Sequence, residues 1–175
     1  MFHKIKKIFL VFSRTLIKQI DGFSPRLYMK LYNSYLKKIG VVISGTPRFI
    51  HPSVVFDGKG YSKTFIGNDV VISRNVLLLN HDYSIGCGLR AIKEDAGREA
   101  FWLKDIRIGD NTFIGANVSI LPGTDIGLNC IIGTGTVLKG KIPNDSIVIG
   151  NPARIVGQTQ DWAKKKKNIN DYLFE

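Results

Sequence analysis

Histidine is the residue type in this chain best suited to proton transfer, because an imidazole titrates near neutral pH. The chain has three histidines. His3 lies in a basic N-terminal arm and His51 lies in an irregular stretch before a proline, so we interpret both as exposed or structural. His81 lies near the start of residues 80–105, a stretch in which most of the titratable side-chain types of the chain occur together. We therefore predict that His81 is a general base that takes the proton of an attacking hydroxyl.

A general base of this kind is usually oriented by a second group that binds its other ring nitrogen. Asp82, Glu94 and Asp95 all lie in the same stretch, and the sequence alone does not choose among them. Cys87 lies there as well. A thiolate at Cys87 could carry a transferred group in a two-step mechanism, which is the alternative to direct transfer.

A six-residue repeat in the sequence predicts which structural elements position these residues. Aliphatic side chains recur at this interval on both sides of the 80–105 stretch: Ile66, Ile72, Leu78, Ile108, Ile114, Ile120, Ile126, Ile132 and Leu138. Residue types that tolerate a positive φ stand three positions later: Asp69, Asn75, Asn111, Asn117, Gly123, Asn129 and Gly135. The interval from Leu78 to Ile108 is thirty residues, a multiple of six, so the phase survives the interruption.

Neither the 3.6-residue period of a helix nor the two-residue period of a strand produces this spacing. A corner every six residues does, because three short strands and three tight turns close a triangular coil of about eighteen residues around the aliphatic side chains. Stacked coils pair their backbones in parallel sheets. We therefore predict a mainly β fold, a parallel β-helix over residues 41–157. Residues 80–105 are extruded from it as a loop, where functional residues are often found.

Three segments resemble the hexapeptide-repeat acyltransferases, in the branch that contains sugar and polysaccharide O-acetyltransferases. They are NHDYSIG at 80–86, IGDNTFIGANVSILPGTDIG at 108–127 and IPNDSIVIGNPARIV at 142–156. The resemblance covers residues 41–157 and implies that the β-helix is left-handed. It also implies a homotrimer with a groove between neighbouring subunits. The implied reaction is direct transfer of an acetyl group from acetyl-CoA to a hydroxyl of a sugar, in a surface polysaccharide or its precursor.

The resemblance also assigns residues. His81 matches the catalytic histidine of the family's Asn-His-Asp motif, and Trp102 matches a loop tryptophan that lies beside the acyl donor. Small corner residues would let the pantetheine arm approach closely, and two cations would bind the phosphates of the donor. These donor-binding candidates are Gly115, Ala116, Gly133, Thr134, Lys139 and Arg154.

Three other functions compete with O-acetylation. An N-acetyltransferase of an amino (nucleotide) sugar needs similar parts, since the attacking amine also loses a proton. A γ-class carbonic anhydrase shares the fold but needs three histidine ligands around zinc, whereas His81 is the only histidine after residue 51, so no metal is expected. The third is a catalytically inactive β-helix that serves as an assembly module. A different residue at position 81 would have suggested this function, but the histidine is present.

The positive charge of the chain lies mostly in its N-terminal arm. Among 175 residues, 25 Lys and Arg face 14 Asp and Glu, a net charge of +11. Residues 1–40 hold nine basic residues and one acid, whereas residues 41–157 hold twelve and ten. Because the folded body is nearly neutral, we expect no nucleic-acid partner. Two cysteines without paired spacing predict a reducing compartment, and no apolar run approaches the ~18 residues of a spanning helix.

Residues 1–40 are predicted to be helical. Ser24 can cap a helix with Pro25 at its first position, and an apolar stripe follows that is expected to cover the open end of the β-helix: Leu27, Tyr28, Leu31, Tyr32, Tyr35 and Ile39. An earlier stripe, Ile5, Ile8, Phe9, Phe12, Leu16 and Ile20, is flanked by Lys and Arg. This basic amphipathic helix of residues 1–20 could lie on an anionic membrane or pack on a neighbouring subunit, and both interpretations stay open.

The remaining expectations concern location and the C-terminus. We interpret the N-terminus as retained, because the apolar patch behind its lysines is too short for a signal peptide. The protein is therefore expected in the cytoplasm, with peripheral contact at the inner face of the membrane as the further expectation. Residues 158–175 form a tail or short helix. Its run Lys164–Lys167 is either a solvated face or a contact to a cofactor phosphate. Cys130 occupies an inward repeat position and is expected in the core.

Overall fold

The six-residue repeat folds into short strands separated by tight corners. The structure, a computed structural model, describes residues 12–94, 96–169 and 172–174. Its strands are β1 (Val42–Ile43), β2 (Phe49–Ile50), β3 (Val55–Phe56), β4 (Thr64–Ile66), β5 (Val71–Ile72), β6 (Leu77–Leu78), β7 (His81–Asp82), β8 (Trp102–Leu103), β9 (Ile106–Ile108), β10 (Phe113–Ile114), β11 (Ser119–Ile120), β12 (Asp125–Ile126), β13 (Ile131–Ile132), β14 (Val137–Leu138), β15 (Lys141–Ile142), β16 (Ser146–Ile149) and β17 (Arg154–Gln158). Its helices are α1 (residues 12–20), α2 (Pro25–Ile39), α3 (Ser84–Ala91) and α4 (Thr159–Ile169), with a 3₁₀ turn at Tyr61–Lys63.

Three parallel sheets, named here faces A, B and C, enclose the core. Face A contains β1, β4, β9, β12 and β15, face B contains β2, β5, β10, β13 and β16, and face C contains β3, β6, β11 and β14. β17 pairs antiparallel with β16 at the edge of face B, and β7 pairs antiparallel with β8 outside the three faces. The chain passes from face A to B to C and returns to A, so each coil has an A–B, a B–C and a C–A corner.

The aliphatic positions of the repeat form the core. All nine of them are buried, each with 3% exposure or less. The seven corner residues that follow them all adopt positive φ, between 51° and 85°. Full burial of one aliphatic side chain contributes roughly 1.5–3 kcal/mol, so these inward positions of the three faces supply much of the stabilisation of the fold. The predicted parallel β-helix is confirmed.

Residues 80–105 leave the β-helix at the C–A corner and return to it in phase. Ile66 before the excursion pairs with Ile108 after it, in parallel register. The excursion holds β7, α3 and β8, and is named here the loop. Its extrusion agrees with the prediction. The helix α3 was not predicted, because two glycines, Gly86 and Gly88, lower the helix propensity of its eight residues.

α2 closes the open end of the first coil. Ser24 caps it by accepting a hydrogen bond from the Leu27 amide, and Gly40 ends it in the left-handed region at φ 110°. The buried residues of the helix are Tyr28, Met29, Tyr32, Tyr35 and Leu36.

The predicted apolar stripe of α2 was right at Tyr28, Tyr32 and Tyr35, which are buried, and wrong at Leu27 and Leu31. Leu27 and Leu31 are exposed, whereas Met29 is buried. The open edge of the first coil has backbone groups of Ile50 with no further strand to pair with. The Tyr28 hydroxyl donates to the Ile50 carbonyl at 2.7 Å, and the Met29 sulfur accepts from the Ile50 amide at 3.2 Å. These bonds turn that face of the helix toward the coil.

The two ends of the chain add helices to the β-helix. Ile17 and Ile20 of α1 pack against the core cluster, while the lysines at positions 4, 6 and 7 lie outside the described residues. At the other end, β17 leads into α4, whose lysines 164–167 are mostly exposed. Among the described helices, none has the length and apolar character that crossing a membrane requires.

Candidate active site

Two interruptions of the repeat leave the β-helix at the same C–A corner, one coil apart. Phe56 of β3 pairs in register with Leu78 of β6. Asp57 directly follows Phe56, and its amide donates to the Leu78 carbonyl at 3.1 Å. His81 follows Leu78 by three positions. The parallel register of face C therefore brings Asp57 beside His81, although 24 residues separate them in sequence.

Asp57 binds both the ring and the backbone of the predicted base. Its Oδ2 atom forms a short hydrogen bond with His81 Nδ1. The same oxygen accepts from the His81 amide at 2.9 Å and the Asn80 amide at 3.1 Å. Oδ1 accepts from the Lys59 amide at 3.1 Å. Asp57 is 8% exposed, whereas the side chain of His81 is 26% exposed, so the carboxylate is enclosed while the imidazole reaches solvent.

The environment of Asp57 favours its ionised form. Burial by itself would raise the pKa of this carboxyl, but hydrogen bonds from the His81 ring and from the amides of Lys59 and His81 outweigh burial, and the pKa lies below its ordinary value. An ionised carboxylate can only accept, so Nδ1 of His81 carries the hydrogen. In the neutral ring, Nε2 then holds the free lone pair, and it has no hydrogen-bond partner among the described residues. This tautomer can accept a proton at Nε2.

Asn80 fixes the root of the loop. Its side chain is fully buried. The amide oxygen accepts from the Thr64 hydroxyl at 2.9 Å, and the amide nitrogen donates to the carbonyls of Lys63 and Lys104, each at 3.1 Å. The Lys104 amide donates back to the Asn80 carbonyl at 2.9 Å. Both strands of the loop are thereby tied to the second coil, and His81 follows Asn80 directly.

Aromatic rings surround the outer side of the imidazole. Tyr83 meets His81 edge to face with ring centroids 5.3 Å apart, and Phe101 does so at 6.4 Å. The two rings also contact each other at 5.2 Å. The Lys59 ammonium lies 4.8 Å from the Tyr83 centroid and 4.6 Å from the Phe101 centroid. Sequence reasoning missed Asp57, Lys59 and Phe101. The ten-residue gap between the inward repeat positions Phe56 and Ile66 was the signal that could have pointed to Asp57 and Lys59.

The comparisons with known proteins agree with this fold. A family model described as the hexapeptide repeat of succinyl-transferase matches residues 105–139. YvoF of Bacillus subtilis, a protein provisionally named as an acetyltransferase, is 29% identical to this chain over 169 residues. The match covers 95% of this chain and 84% of YvoF. Galactoside O-acetyltransferase of Lactococcus lactis is 31% identical over 111 residues, 63% of this chain and 46% of that protein. The matched part is thus about half the length of the Lactococcus protein.

A solved structure shows the same architecture. Galactoside acetyltransferase in complex with coenzyme A superposes with a TM-score of 0.59 at 22% identity, over 93% of this chain and 84% of that chain. In its repeat, its overall sequence and its fold, the chain is similar to the hexapeptide-repeat acetyltransferases. The predicted family is therefore confirmed, and so is the left-handed form of the parallel β-helix.

In this acetyltransferase the predicted site residues of the loop lie on two sides of one ribbon. Trp102 pairs opposite Asp82 in the β7–β8 ribbon, and successive side chains of a strand point to opposite faces. Asp82 and Trp102 therefore share one face, while His81 points to the other. Asp82 accepts from the Ser84 amide at 2.7 Å, a bond that lowers the pKa of its carboxyl. The carboxylate that binds Nδ1 of His81 is that of Asp57 and not that of Asp82.

Of the other two candidate orienters, only Glu94 lies within the described residues, and it forms no hydrogen bond or ion pair with the imidazole there. Glu94 is exposed beyond the end of α3, and Asp95 lies outside the described residues. Asp82 and Trp102 instead line a small cavity of about 160 Å³ together with Lys104, Leu121, Pro122, Ser84 and Lys139. The Lys104 ammonium lies 4.5 Å from the centroid of a Trp102 ring. One predicted donor residue, Lys139, is thus brought beside Trp102.

The remaining donor candidates lie elsewhere in this acetyltransferase. Gly115, Ala116, Gly133 and Thr134 stack at the B–C corner, where the Gly115 amide donates to the Ile132 carbonyl at 2.8 Å. A Cβ added at Gly115 would lie 2.7 Å from the Thr134 amide nitrogen, so packing between coils already requires glycine there. Arg154 is exposed on β17. Within one chain, the structure does not bring these residues to His81.

The other residues considered for chemistry have structural surroundings. His51 lies in a B–C corner, where its Nδ1 contacts the Ser53 hydroxyl at 2.8 Å, and His3 lies outside the described residues. Cys130 is fully buried as predicted, and burial raises the pKa of its thiol. Cys87 is exposed on α3. Within the described ranges, no group of three or more His, Cys, Asp and Glu side chains could hold a metal ion.

Proposed function

We propose that the protein is an acetyl-CoA-dependent O-acetyltransferase that acts on a hydroxyl of a sugar, with His81 as its general base. The observation that carries the proposal is the His81 ring, held through Nδ1 by the nearly buried carboxylate of Asp57 and partly exposed to solvent. In the neutral imidazole, this hydrogen bond leaves the lone pair at Nε2, as proton abstraction from a hydroxyl requires.

His81 moves one proton twice in the proposed reaction. Nε2 takes the proton of the acceptor hydroxyl while that oxygen forms a bond to the carbonyl carbon of the acetyl thioester. The bond between this carbon and sulfur breaks, and the Nε2 proton passes to the leaving sulfur. The products are the O-acetylated sugar and coenzyme A with a free thiol, and His81 returns to its neutral form. No acyl-enzyme on Cys87 is needed.

Asp57 is the positioning residue of this step. While Nε2 holds the proton, the imidazole is a cation, and the adjacent carboxylate stabilises it. The three amide hydrogen bonds to Asp57 fix the carboxylate before substrate arrives, so little reorganisation accompanies proton transfer. Asp82, an earlier candidate for this role, is proposed instead as a lining residue of the Trp102 cavity.

We propose that acetyl-CoA binds along residues named from the family resemblance. Lys139 and Trp102 meet in one cavity, where an exposed ammonium beside an indole suits a phosphate or an adenine ring. Arg154 adds a second exposed cation. Ala116 is partly exposed and Thr134 is exposed at the B–C corner, beside the tightly packed glycines Gly115 and Gly133. The solved relative with coenzyme A supports this class of donor.

We further propose that the active site is completed in a homotrimer. His81 and the Trp102 cavity lie on opposite sides of the β7–β8 ribbon, and the B–C corner is a different edge of the prism from the C–A corner. A donor along these residues therefore reaches the base of a neighbouring subunit more readily than its own. Exposed apolar side chains on faces B and C, such as Phe113 and Val55, offer surface for the contact.

The acceptor is proposed to be a sugar hydroxyl, in a surface polysaccharide or its precursor. The named activity of the Lactococcus relative, transfer to a galactoside oxygen, supports a sugar. The membrane contact of residues 1–20 stays a prediction. Sedimentation with anionic liposomes tests it, and unchanged binding after deletion of residues 1–20 would contradict it.

A thiol-release assay with acetyl-CoA tests the proposed reaction. Sugars, oligosaccharides, nucleotide sugars and amino sugars serve as acceptors, and the bond formed is identified by mass spectrometry and by its lability to mild base. His81→Ala is expected to lower kcat by about 10²–10⁴-fold. His51→Gln, at a structural histidine, is the matched control and should stay within about twofold of the unchanged protein.

Three results would contradict the proposal. A His81→Ala variant with near-normal rate would remove the general base. Transfer to amines alone would favour N-acetylation. Absence of both transfer and coenzyme A binding by calorimetry would favour a non-catalytic β-helix.

A further inference from the structure

Lys59 lies beside the base and is held there by the same carboxylate. Its amide donates to Asp57 Oδ1 at 3.1 Å, and the turn it belongs to closes with the Gly60 amide donating to the Asp57 carbonyl at 3.0 Å. The side chain then extends over the aromatic pair, where the ammonium donates a hydrogen bond to the Tyr83 hydroxyl. Backbone and side chain of Lys59 thus have fixed positions relative to His81.

The charge of this ammonium has no counterion. Among the described residues, no carboxylate lies within 4.0 Å of Lys59 Nζ. Asp57 is nearly buried and its oxygens already accept from His81, Asn80 and the Lys59 amide. The neighbouring Lys63, by contrast, pairs with Asp105 at 3.3 Å. The two aromatic rings hold the ammonium through their π faces but do not neutralise it.

The distance from the ammonium to the base suits one sugar unit. Nζ lies 4.8 Å from the Tyr83 centroid, which lies 5.3 Å from the His81 centroid, so at most about 10 Å separate the ammonium from the centre of the imidazole. A sugar with one hydroxyl at Nε2 can place a substituent, or a group on the adjoining unit, at Lys59. One hydrogen of the ammonium is used by Tyr83, and the others are available to an acceptor oxygen.

We propose that Lys59 binds an anionic group, a carboxylate or a phosphate, on the acceptor sugar whose hydroxyl faces His81. This inference rests on the proposed function and names the substrate class of that site: acidic sugars rather than neutral ones. Lysine acts as a point charge, so it accepts both kinds of anion. Lys59 is exposed, so an anion that enters from solvent can reach the ammonium.

The test compares matched acceptors with matched variants. The acceptors are methyl galactoside, methyl galacturonide and methyl galactoside 6-phosphate, which differ at one carbon. The unchanged protein should use at least one anionic acceptor with kcat/KM about tenfold or more above the neutral one. Lys59→Gln should bring the ratio close to one while the rate with methyl galactoside changes less than about threefold. Lys141→Gln, an exposed lysine of face A, is the control and should keep the ratio.

The two anionic acceptors distinguish carboxylate from phosphate recognition. Preference for one of them in the unchanged protein, lost in Lys59→Gln, identifies the group. An equal fall for all three acceptors in Lys59→Gln, or no anionic preference before substitution, overturns the inference, because Lys59 would then only clip the aromatic pair in place.

A binding measurement separates this inference from the proposed reaction. Saturation-transfer NMR on the full chain compares binding of methyl galacturonide and methyl galactoside, with and without Lys59→Gln, and needs no turnover. Loss of galacturonide binding alone in Lys59→Gln supports the inference even where no acetyl transfer is found, a result that would contradict the proposed reaction alone. Equal binding of all acceptors to both proteins overturns the inference whatever the transfer assay shows.

Discussion

At the scale of single residues, Asp57 has two tasks that substitution can separate. It accepts hydrogen bonds from three backbone amides, which is structural, and it contacts the imidazole, which is chemical. An asparagine side chain has nearly the same shape. It keeps one acceptor oxygen, but its amide group carries no charge and cannot stabilise an imidazolium.

We expect Asp57→Asn to lower kcat by about 10–100-fold, because the charge that stabilises protonated His81 is lost. The KM for acetyl-CoA should change less than about threefold, since Asp57 does not contact the proposed donor residues. Steady-state kinetics with acetyl-CoA as the varied substrate measure both values. Rescue is a second readout: Asp57→Glu keeps the charge and should recover part of kcat.

A merely structural Asp57 would give a different pattern. Thermal unfolding of both variants then serves as the control, because leaving buried amides without an acceptor costs about 1–3 kcal/mol each. A fall in kcat that follows the loss of folded protein, with no recovery in Asp57→Glu at equal stability, would contradict a positioning role.

At the scale of elements, the corners were predictable from sequence and the catalytic contact was not. Each corner is local: Asn111 and Asn129 reveal a left-handed residue by type and spacing alone. The contact between Asp57 and His81 depends on the register between β3 and β6 on face C. The repeat is interrupted after each of these strands, by segments of different length, and both segments leave the β-helix at the C–A corner. Candidate orienters close in sequence, such as Asp82, were favoured because spacing shows only local proximity. Alternation along β7 then points Asp82 away from the ring.

Asn117 isolates the energetic contribution of one corner. Its φ is 57°, and its amide donates to the Arg74 carbonyl at 3.0 Å, a bond that any residue type keeps. Its side chain is exposed. The position therefore reports on backbone conformation with little interference from packing.

We expect Asn117→Ala to lower the free energy of unfolding by about 1–2 kcal/mol. Alanine has the steric cost of a Cβ in the left-handed region but lacks the short polar side chain that lets asparagine hydrogen-bond locally. Asn117→Gly should stay within about 0.5 kcal/mol of the unchanged protein, since glycine adopts this φ without steric cost. Urea unfolding at equal protein concentration measures the difference. Equal stability of the alanine and glycine variants would show that this corner is not limited by backbone conformation.

At the scale of the whole molecule, the open end of the β-helix is closed by three tyrosines of α2 together with Met29 and Leu36. Tyr28 stacks on Tyr32 with ring centroids 5.2 Å apart, and Tyr32 stacks on Tyr35 at 6.0 Å. Tyr28 and Tyr32 are almost fully buried. The Tyr28 hydroxyl satisfies the buried carbonyl of Ile50, which has no further strand to pair with, and phenylalanine could not do so. The tyrosines also make the closure sensitive to alkali.

Burial raises the pKa of Tyr32 to about 12, and it raises the pKa of Tyr28 further. An unfolded tyrosine ionises near pH 10. Above that pH the unfolded chain loses these protons while the folded chain retains them, so stability falls as pH rises from about 10 to 12 and is fully present below 10. Urea unfolding across pH 8–12 should show this decline, and Tyr32→Phe should flatten it while remaining folded at pH 8. Parallel curves for the two proteins would mean that ionisation of Tyr32 does not open the end of the β-helix.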